Sequence, residues 1–339
     1  MGTTAGVIYK EIRAEHELTQ LELLLNQSFG VPEGTSFYDD FPVWKSTANL
    51  IRVGAYENEK LLASASVRTA FVKAPLGLLK VALIGAVVTD EGWRGRGLAS
   101  QLVLLCEQWA ETQGCAFMVL WGSEHSLYQK LGFELCGSQV RIALKEIQFP
   151  DPAGIREIKV GWDPVIFEMI KRRPEGLALT DDDQAWFTSH KNVEWYYIGD
   201  KTAPLEEKAY FGYNRGIDLQ NMIHEWGGNK EALLKLLSFL KSKQPELELL
   251  GNPEVFARYG ISCPPERTEF LGMVKILNLK NTLSAFLAEE IIKSLQGFLQ
   301  GGKYTEREIT QMIFGPAETS GISSNALPLL FWIWGLDAA

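Results

Sequence analysis

Arginine and glycine alternate at Arg94-Gly95-Arg96-Gly97, directly before an amphipathic stretch that begins at Leu98. An apolar run from Val81 to Val88 precedes them and reads as a buried strand. The pattern is therefore a strand that feeds a helix N-terminus through a glycine turn. The first helical N–H groups lack intrahelical acceptors, and the helix dipole adds partial positive charge there, so an anion such as phosphate is favoured. Glycine lets the backbone approach the anion closely, and Arg94 and Arg96 can add charge-assisted hydrogen bonds. The same turn is also compatible with two solvated arginines. No Lys-Ser/Thr follows the glycines, as a P-loop requires, and their spacing misses the dinucleotide fingerprint.

The elements around this turn are those of an α/β domain. Val7 to Arg13 reads as a strand and Glu15 to Phe29 as a helix. Val31 to Trp44 is an irregular, aromatic and acidic segment containing Tyr38, Asp39 and Asp40. Leu50–Ala55 and Lys60–Val72 form a hairpin around Glu57-Asn58-Glu59. The helix from Leu98 to Gln113 places Leu98, Leu102, Leu105 and Trp109 on one face, with Gly114 as its C-terminal stop. Phe117–Leu120 is a short strand, Ser123–Lys130 a helix, and Gln139–Ile147 the strand expected to close the sheet. Pro150, Asp151, Pro152 and Gly154 then mark a linker.

Two segments of this domain resemble the GNAT N-acetyltransferases. Arg94-Gly95-Arg96-Gly97-Leu98-Ala99 fits the family's Arg/Gln-x-x-Gly-x-Gly/Ala motif, with Val87-Val88 as the strand before it. Leu127-Tyr128-Gln129-Lys130-Leu131-Gly132-Phe133 fits its Leu-Tyr-x-Lys-Leu-Gly-Phe segment, in family order and spacing. The resemblance covers roughly residues 6–148. It implies acetyl-CoA as co-substrate, its pyrophosphate on Arg94, Gly95, Arg96, Gly97, Leu98, Ala99 and Ser100, and its pantetheine arm paired with the backbone of Ala86, Val87 and Val88. Tyr38, Asp39 and Asp40 lie where the family's substrate-side segment runs. Ser123-Glu124 followed by Tyr128 also resembles part of the Eis-type aminoglycoside acetyltransferases, which join an active GNAT domain to a degenerate one.

The second half repeats the first in weakened form. Strands at Lys208–Tyr213 and Ile217–Glu225 lead through Gly227-Gly228-Asn229 into a helix at Lys230–Lys243. A short strand at Leu247–Leu250 and Gly251 to Ile261 follow, and aligning Gly260 with Gly132 sets Phe256 under Tyr128 and Arg258 under Lys130. This turn has no arginine, and phenylalanine cannot donate a proton. The alternative is an unrelated α/β domain of coincidental order. The reading is thus an α/β protein of tandem GNAT-like mixed-sheet domains: an active domain at 1–150, a degenerate one at 155–280 and a helical extension at 281–339. The extension carries a predicted helix at Thr282–Gln300, another at Tyr304–Phe314 and an apolar tail through Trp332 and Trp334. So apolar a tail is expected to dock, either joining the two cores or packing at the first domain's cleft, where Asp337 or the terminal carboxylate would meet the amine.

Composition sets limits. The net charge of −9 argues against nucleic acid or an anionic membrane as partner. No run reaches the roughly 20 apolar residues of a membrane span, and no N-terminal stretch reads as a signal peptide. Cys106, Cys115, Cys136 and Cys263 form no Cys-x-x-Cys pair, and no histidine lies at metal spacing, so buried thiols, no metal and a reducing cytoplasm are expected. The oligomeric state is not legible.

Acetyl transfer to an amine needs a deprotonated amine, donors for the tetrahedral oxyanion and a proton for the departing thiolate. Tyr128, protonated near neutral pH, is the candidate general acid. A backbone N–H near Val88 would serve the oxyanion, as the resemblance implies. The general base stays open among Asp39, Asp40, Glu91, Glu124 and His125, or a water chain. The acceptor is a small-molecule or peptide amine. Two rivals remain, a non-catalytic CoA-binding sensor or interaction module and transfer of a longer acyl group.

Overall fold

The computed structural model describes residues 6–46, 48–150, 158–199, 202–293, 304–315 and 332–337. The chain divides into two compact units, Met1–Gly137 with Leu271–Leu329 and Ala339, and Ser138–Phe270 with Leu330–Ala338.

The first unit opens with β1 (Ile8–Glu11), α1 (Glu15–Ser28), α2 (Phe37–Asp40), β2 (Leu50–Glu57), β3 (Lys60–Ala74), β4 (Gly77–Thr89), α3 (Leu98–Thr112), β5 (Phe117–Leu120), α4 (His125–Gln129) and β6 (Glu134–Cys136). The second contains β7 (Val140–Ala143), β8 (Ile158–Val160), α5 (Pro164–Lys171), α6 (Gln184–Ser189), β9 (Glu194–Ile198), β10 (Ala209–Arg215), β11 (Asp218–Gly228), α7 (Lys230–Lys243), β12 (Glu248–Gly251) and α8 (Pro253–Tyr259). The chain then returns to the first unit as β13 (Gly272–Ile276), α9 (Leu279–Ser284) and α10 (Glu306–Phe314). The first sheet runs β1-β2-β3-β4-β5-β13-β6 and the second β7-β12-β11-β10-β9-β8. Both are mixed, with β4 parallel to β5 and β11 parallel to β12.

Local chemistry explains the helices. In α1 Leu21, Leu24 and Leu25 are buried at helical spacing, and the Glu17 carboxylate accepts the Arg13 and Ala14 N–H groups at 2.9 and 3.0 Å. In α3 the fully buried stripe is Leu98, Leu102, Cys106 and Ala110 with Val103, while Leu105 and Trp109 are only half-buried. The Asn229 side chain caps α7 through the Ala232 N–H, and Leu233, Leu236, Leu237 and Leu240 form its buried face.

Three expectations are corrected. Gln139–Ile147 does not close the first sheet: Val140–Ala143 pairs antiparallel with β12 in the second unit, and Gly272–Ile276 fills the place between β5 and β6. The alternation of buried Val140, exposed Arg141 and buried Ile142 suits any antiparallel neighbour, so the local pattern carries no choice between sheets. The units accordingly change over at Gly137/Ser138 and Phe270/Leu271, not near 150 and 280. The linker residues Asp151, Pro152 and Gly154 lie outside the described residues. Second, the expected helix Thr282–Gln300 is interrupted after Ser284, where the Ala285 carbonyl accepts the Leu76 N–H at 2.9 Å from the β3–β4 turn; its end lies outside the described residues.

Third, the described tail belongs to the second unit. Trp332, Ile333, Trp334 and Leu336 are buried there, and Asp337 accepts from Arg173 at 3.1 Å and from the Leu177 N–H at 3.3 Å. Arg173 also pairs with buried Glu225. Asp337 is therefore committed to a buried ion pair and is not an acid held out to an amine; Ala339 lies outside the described residues.

Candidate active site

The site begins where β4 and β5 part. Their parallel ladder ends at Ile84↔Leu120, yet β4 continues to Thr89. On the other side Val88 pairs with Ser64 and Gly85 with Ser66, so Ala86 and Val87 together oppose Ala65. This is a β-bulge, and it puts Ala86 at φ +51°. A side chain in the left-handed region costs roughly 1–3 kcal/mol and persists only where the surroundings impose it. Here Gly85 helps impose it: a Cβ there would lie 2.2 Å from the Trp44 ring, so only glycine lets the strand pass Trp44. The bulge re-aims the amides of Ala86–Val88 along an edge with no strand partner among the described residues.

Beyond Thr89 the chain makes a short turn at Glu91–Trp93, capped by Asp90 through the Gly92 N–H. Gly95 and Gly97 follow at φ +76° and +81°, and Gly97 is the left-handed residue just before α3. No side chain caps that helix end. Arg94 and Arg96 are exposed, and neither forms a salt bridge among the described residues; the Arg96 guanidinium lies 4.3 Å over the Trp93 ring. Leu98 is buried, whereas Ala99 and Ser100 are half-buried at the first turn. The result is a helix N-terminus without a side-chain cap, flanked by two exposed guanidinium groups that donate to the Thr89 and Gly92 carbonyls at 3.5 and 3.4 Å, an arrangement of the kind that suits an anion.

Tyr128 stands at the other side of the opening. Past the end of β5, a Cβ on Gly122 would lie 3.2 Å from the Tyr128 ring and 3.6 Å from its hydroxyl. The ring packs edge-on to Phe133 at 6.2 Å and shares one apolar cluster with Ile84 of β4 and Leu98 and Leu102 of α3. The hydroxyl has no hydrogen-bond partner among the described residues. Burial, and then the Glu124 carboxylate, push its pKa up to about 12, so it is a donor at neutral pH.

The remaining expected residues divide. Glu124 is exposed at the start of α4 and near enough to act on Tyr128; Glu91 and His125 are also exposed. Asp39 is engaged as the cap of its own short helix, accepting the Ser36 N–H at 3.1 Å, and Asp40 is buried. Tyr38 is half-buried against Arg52, and burial raises its pKa. Arg52, Trp44 and Gly85 were not anticipated. Arg52 is buried and donates to the Trp44 and Ser46 carbonyls at 2.6 and 2.8 Å, which pins the aromatic segment beside the bulge. An isolated glycine inside an apolar strand was the available signal for the bulge.

The second unit repeats the opening without its chemistry. The β11–β12 ladder ends at Ile223↔Leu249, and β11 runs on to Gly228. The tail lies there: the Gly335 N–H donates to the His224 carbonyl at 3.4 Å and the Leu336 N–H to Glu225 at 2.9 Å. Phe256 is fully buried and stacks on Trp226 with ring centres 5.4 Å apart.

An open parallel pair, a bulge and an arginine–glycine turn at the helix start give the first unit a GNAT-like fold. Residues 18–133 match the model of the Acetyltransferase (GNAT) family. No curated protein matches the chain in sequence. Among solved structures, a GCN5-related N-acetyltransferase from Kribbella flavida is 15% identical with a TM-score of 0.62, covering 84% of this chain and 75% of its own. One from Anabaena variabilis is 19% identical (TM-score 0.60, 83% and 75%), and Eis1 from Mycobacterium abscessus 14% identical (TM-score 0.55, 83% and 76%). These neighbours share the fold over most of the chain. Among the described residues no helix is long and apolar enough to cross a membrane.

Proposed function

We propose that the first unit transfers the acetyl group of acetyl-CoA directly to the amine of a small molecule or peptide. The observation that carries this reading is the meeting of three features at one opening: the Ala86 bulge, the Arg94–Ser100 turn and the hydroxyl of the buried Tyr128 ring. The turn would hold the pyrophosphate, and the free edge of Ala86–Val88 would pair with the pantetheine amides. The amine nitrogen attacks the thioester carbon, and the carbonyl electron pair moves onto oxygen, where an amide of the bulge stabilises it. Collapse re-forms the carbonyl and breaks the C–S bond; Tyr128 gives its proton to the departing thiolate. Glu124 and Glu91 are exposed carboxylates on this side that can take the proton released by the amine, directly or through water. The second unit is kept as a degenerate GNAT-like domain.

Thiol release from acetyl-CoA across a panel of primary amines tests the reading. Wild type should turn over at least one amine, and Tyr128→Phe should lower kcat by roughly 10²–10⁴-fold with acetyl-CoA affinity retained. Equal turnover in Tyr128→Phe, with chemistry rate-limiting, would reduce Tyr128 to a packing residue.

A further inference from the structure

Tyr128 opens a tight turn that is gripped from outside by a strand from much later in the chain. Within the turn the Tyr128 carbonyl accepts the Leu131 and Phe133 N–H groups at 2.9 and 3.1 Å, and the Gln129 carbonyl accepts the Gly132 N–H at 3.0 Å. Gly132 sits at φ +86°. So closed a turn moves as a piece, and a group resting on Gly132 bears on where Tyr128 stands.

Lys275 is that group. It belongs to β13, between β5 and β6. A Cβ on Gly132 would lie 3.3 Å from the Lys275 Cε and 3.7 Å from its Cδ, so the lysine stem crosses the face that the glycine leaves open. The ammonium then ends 2.5 Å from Glu107 Oε1. Glu107 is part of α3, the helix that starts at the arginine–glycine turn. Only 20% of the lysine side chain and 14% of the glutamate side chain are exposed, and a pair so shielded is screened far less by salt than a surface pair. The other Glu107 oxygen is buried with no hydrogen-bond partner among the described residues, which leaves the carboxylate dependent on the lysine.

The pair ties together two parts of the proposed site, the helix of the arginine–glycine turn and the turn of Tyr128. The Tyr128 ring already shares an apolar cluster with Leu98 and Leu102 of α3. Apolar contact of that kind is non-directional. The lysine bridge adds a directional tie, and a misplacement of about 1 Å at reacting groups can cost about 10²-fold in rate.

We infer that Lys275 is a positioning residue: pinned by Glu107, it holds the Gly132 turn, and through it the Tyr128 hydroxyl, at a set place relative to α3. The inference rests on the acetyl-transfer reading with Tyr128 as the acid, and every residue it uses lies in the first unit.

Thiol release from acetyl-CoA with the fastest amine of the panel tests it, beside calorimetric titration of acetyl-CoA. Glu107→Gln with Lys275→Met removes both charges, orphans neither and keeps the stem over Gly132. It should lower kcat about tenfold with acetyl-CoA affinity within about twofold of wild type. Lys275→Arg, which restores the pair, should recover most of that loss. The deciding arm is the Tyr128→Phe background, where the same two substitutions should change kcat less than about twofold, because no acid is left to place. Undiminished kcat in the charge-free variant, or the same loss in the Tyr128→Phe background, would overturn the proposal while leaving the acid assignment standing. Acetyl-CoA affinity falling in step with kcat would overturn it too, by making the pair a prop of α3 alone. Tyr128→Phe turning over as fast as wild type is a separate outcome, which removes the acid assignment and the proposal with it. If the charge-free variant does not fold, Glu107→Asp carries the same expectations, since it keeps both charges and draws the carboxylate back by one methylene.

Discussion

Tyr128 has opposite consequences for structure and for chemistry. Burial in the cluster of β4 and α3 raises its pKa to about 12, which keeps on the phenol the proton that the proposed mechanism delivers to sulfur. The sign of the pH dependence follows. On the proposed mechanism the protonated phenol is the active form and is lost only as pH rises toward 12, whereas the acceptor amine is activated as pH rises toward its own pKa. In a pH series, kcat/KM should therefore climb through neutrality with no falling limb below about pH 10. A falling limb near pH 8 that disappears in Tyr128→Phe would contradict this. Gly85 is the other residue with a sharp expectation. Gly85→Ala would force its Cβ into the Trp44 ring, and overpacking of this kind costs about 1–3 kcal/mol. A denaturant titration should show that loss, together with weakened acetyl-CoA binding as the bulge shifts; unchanged stability and affinity would mean that Trp44 simply moves aside.

The β4–turn–α3 element was legible because its information is local. Alternating glycine and arginine, an apolar run before them and a helical stripe after them all lie within about thirty residues, and left-handed Gly95 and Gly97 are what such a turn demands. The Tyr128 segment was legible for the same reason. The bulge at Ala86 was not, since it arises from how β3 and β4 pair and from Trp44, which is distant in sequence. Nor was the closure of the first sheet by β13. That strand follows the whole second unit, and the signal of a five-residue antiparallel strand does not say which sheet will take it. Asp39 illustrates the limit for site residues. An acid at the third position of a short helix caps that helix as readily as it receives an amine, and the Ser36 N–H shows the first use.

At the scale of the whole molecule, the second unit is distinguished by where the tail packs. Its unpaired length of β11 holds the chain's own tail, anchored by Arg173 to Glu225 and Asp337. Removing one partner of a fully buried ion pair leaves an uncompensated charge and costs about 3–5 kcal/mol. Arg173→Met, which leaves the Glu225 and Asp337 carboxylates buried without their cation, should lower unfolding stability by that amount in a denaturant titration, with acetyl-CoA affinity of the folded protein unchanged. A loss below about 1 kcal/mol would show that Trp332 and Trp334 alone hold the tail.

One measurement bears on the central claim most directly: calorimetric titration of acetyl-CoA into wild type and into Arg94→Ala with Gly97→Val. The account predicts one acetyl-CoA per chain in wild type, because among the described residues the first unit alone has an open strand edge beside an uncapped, arginine-flanked helix start. In the double variant, confirmed as folded, binding should fall by at least about a hundredfold, as both the charge and the left-handed turn are lost. Two molecules bound per chain, or undiminished affinity in the double variant, would contradict the assignment of the cofactor to the Arg94–Ser100 turn.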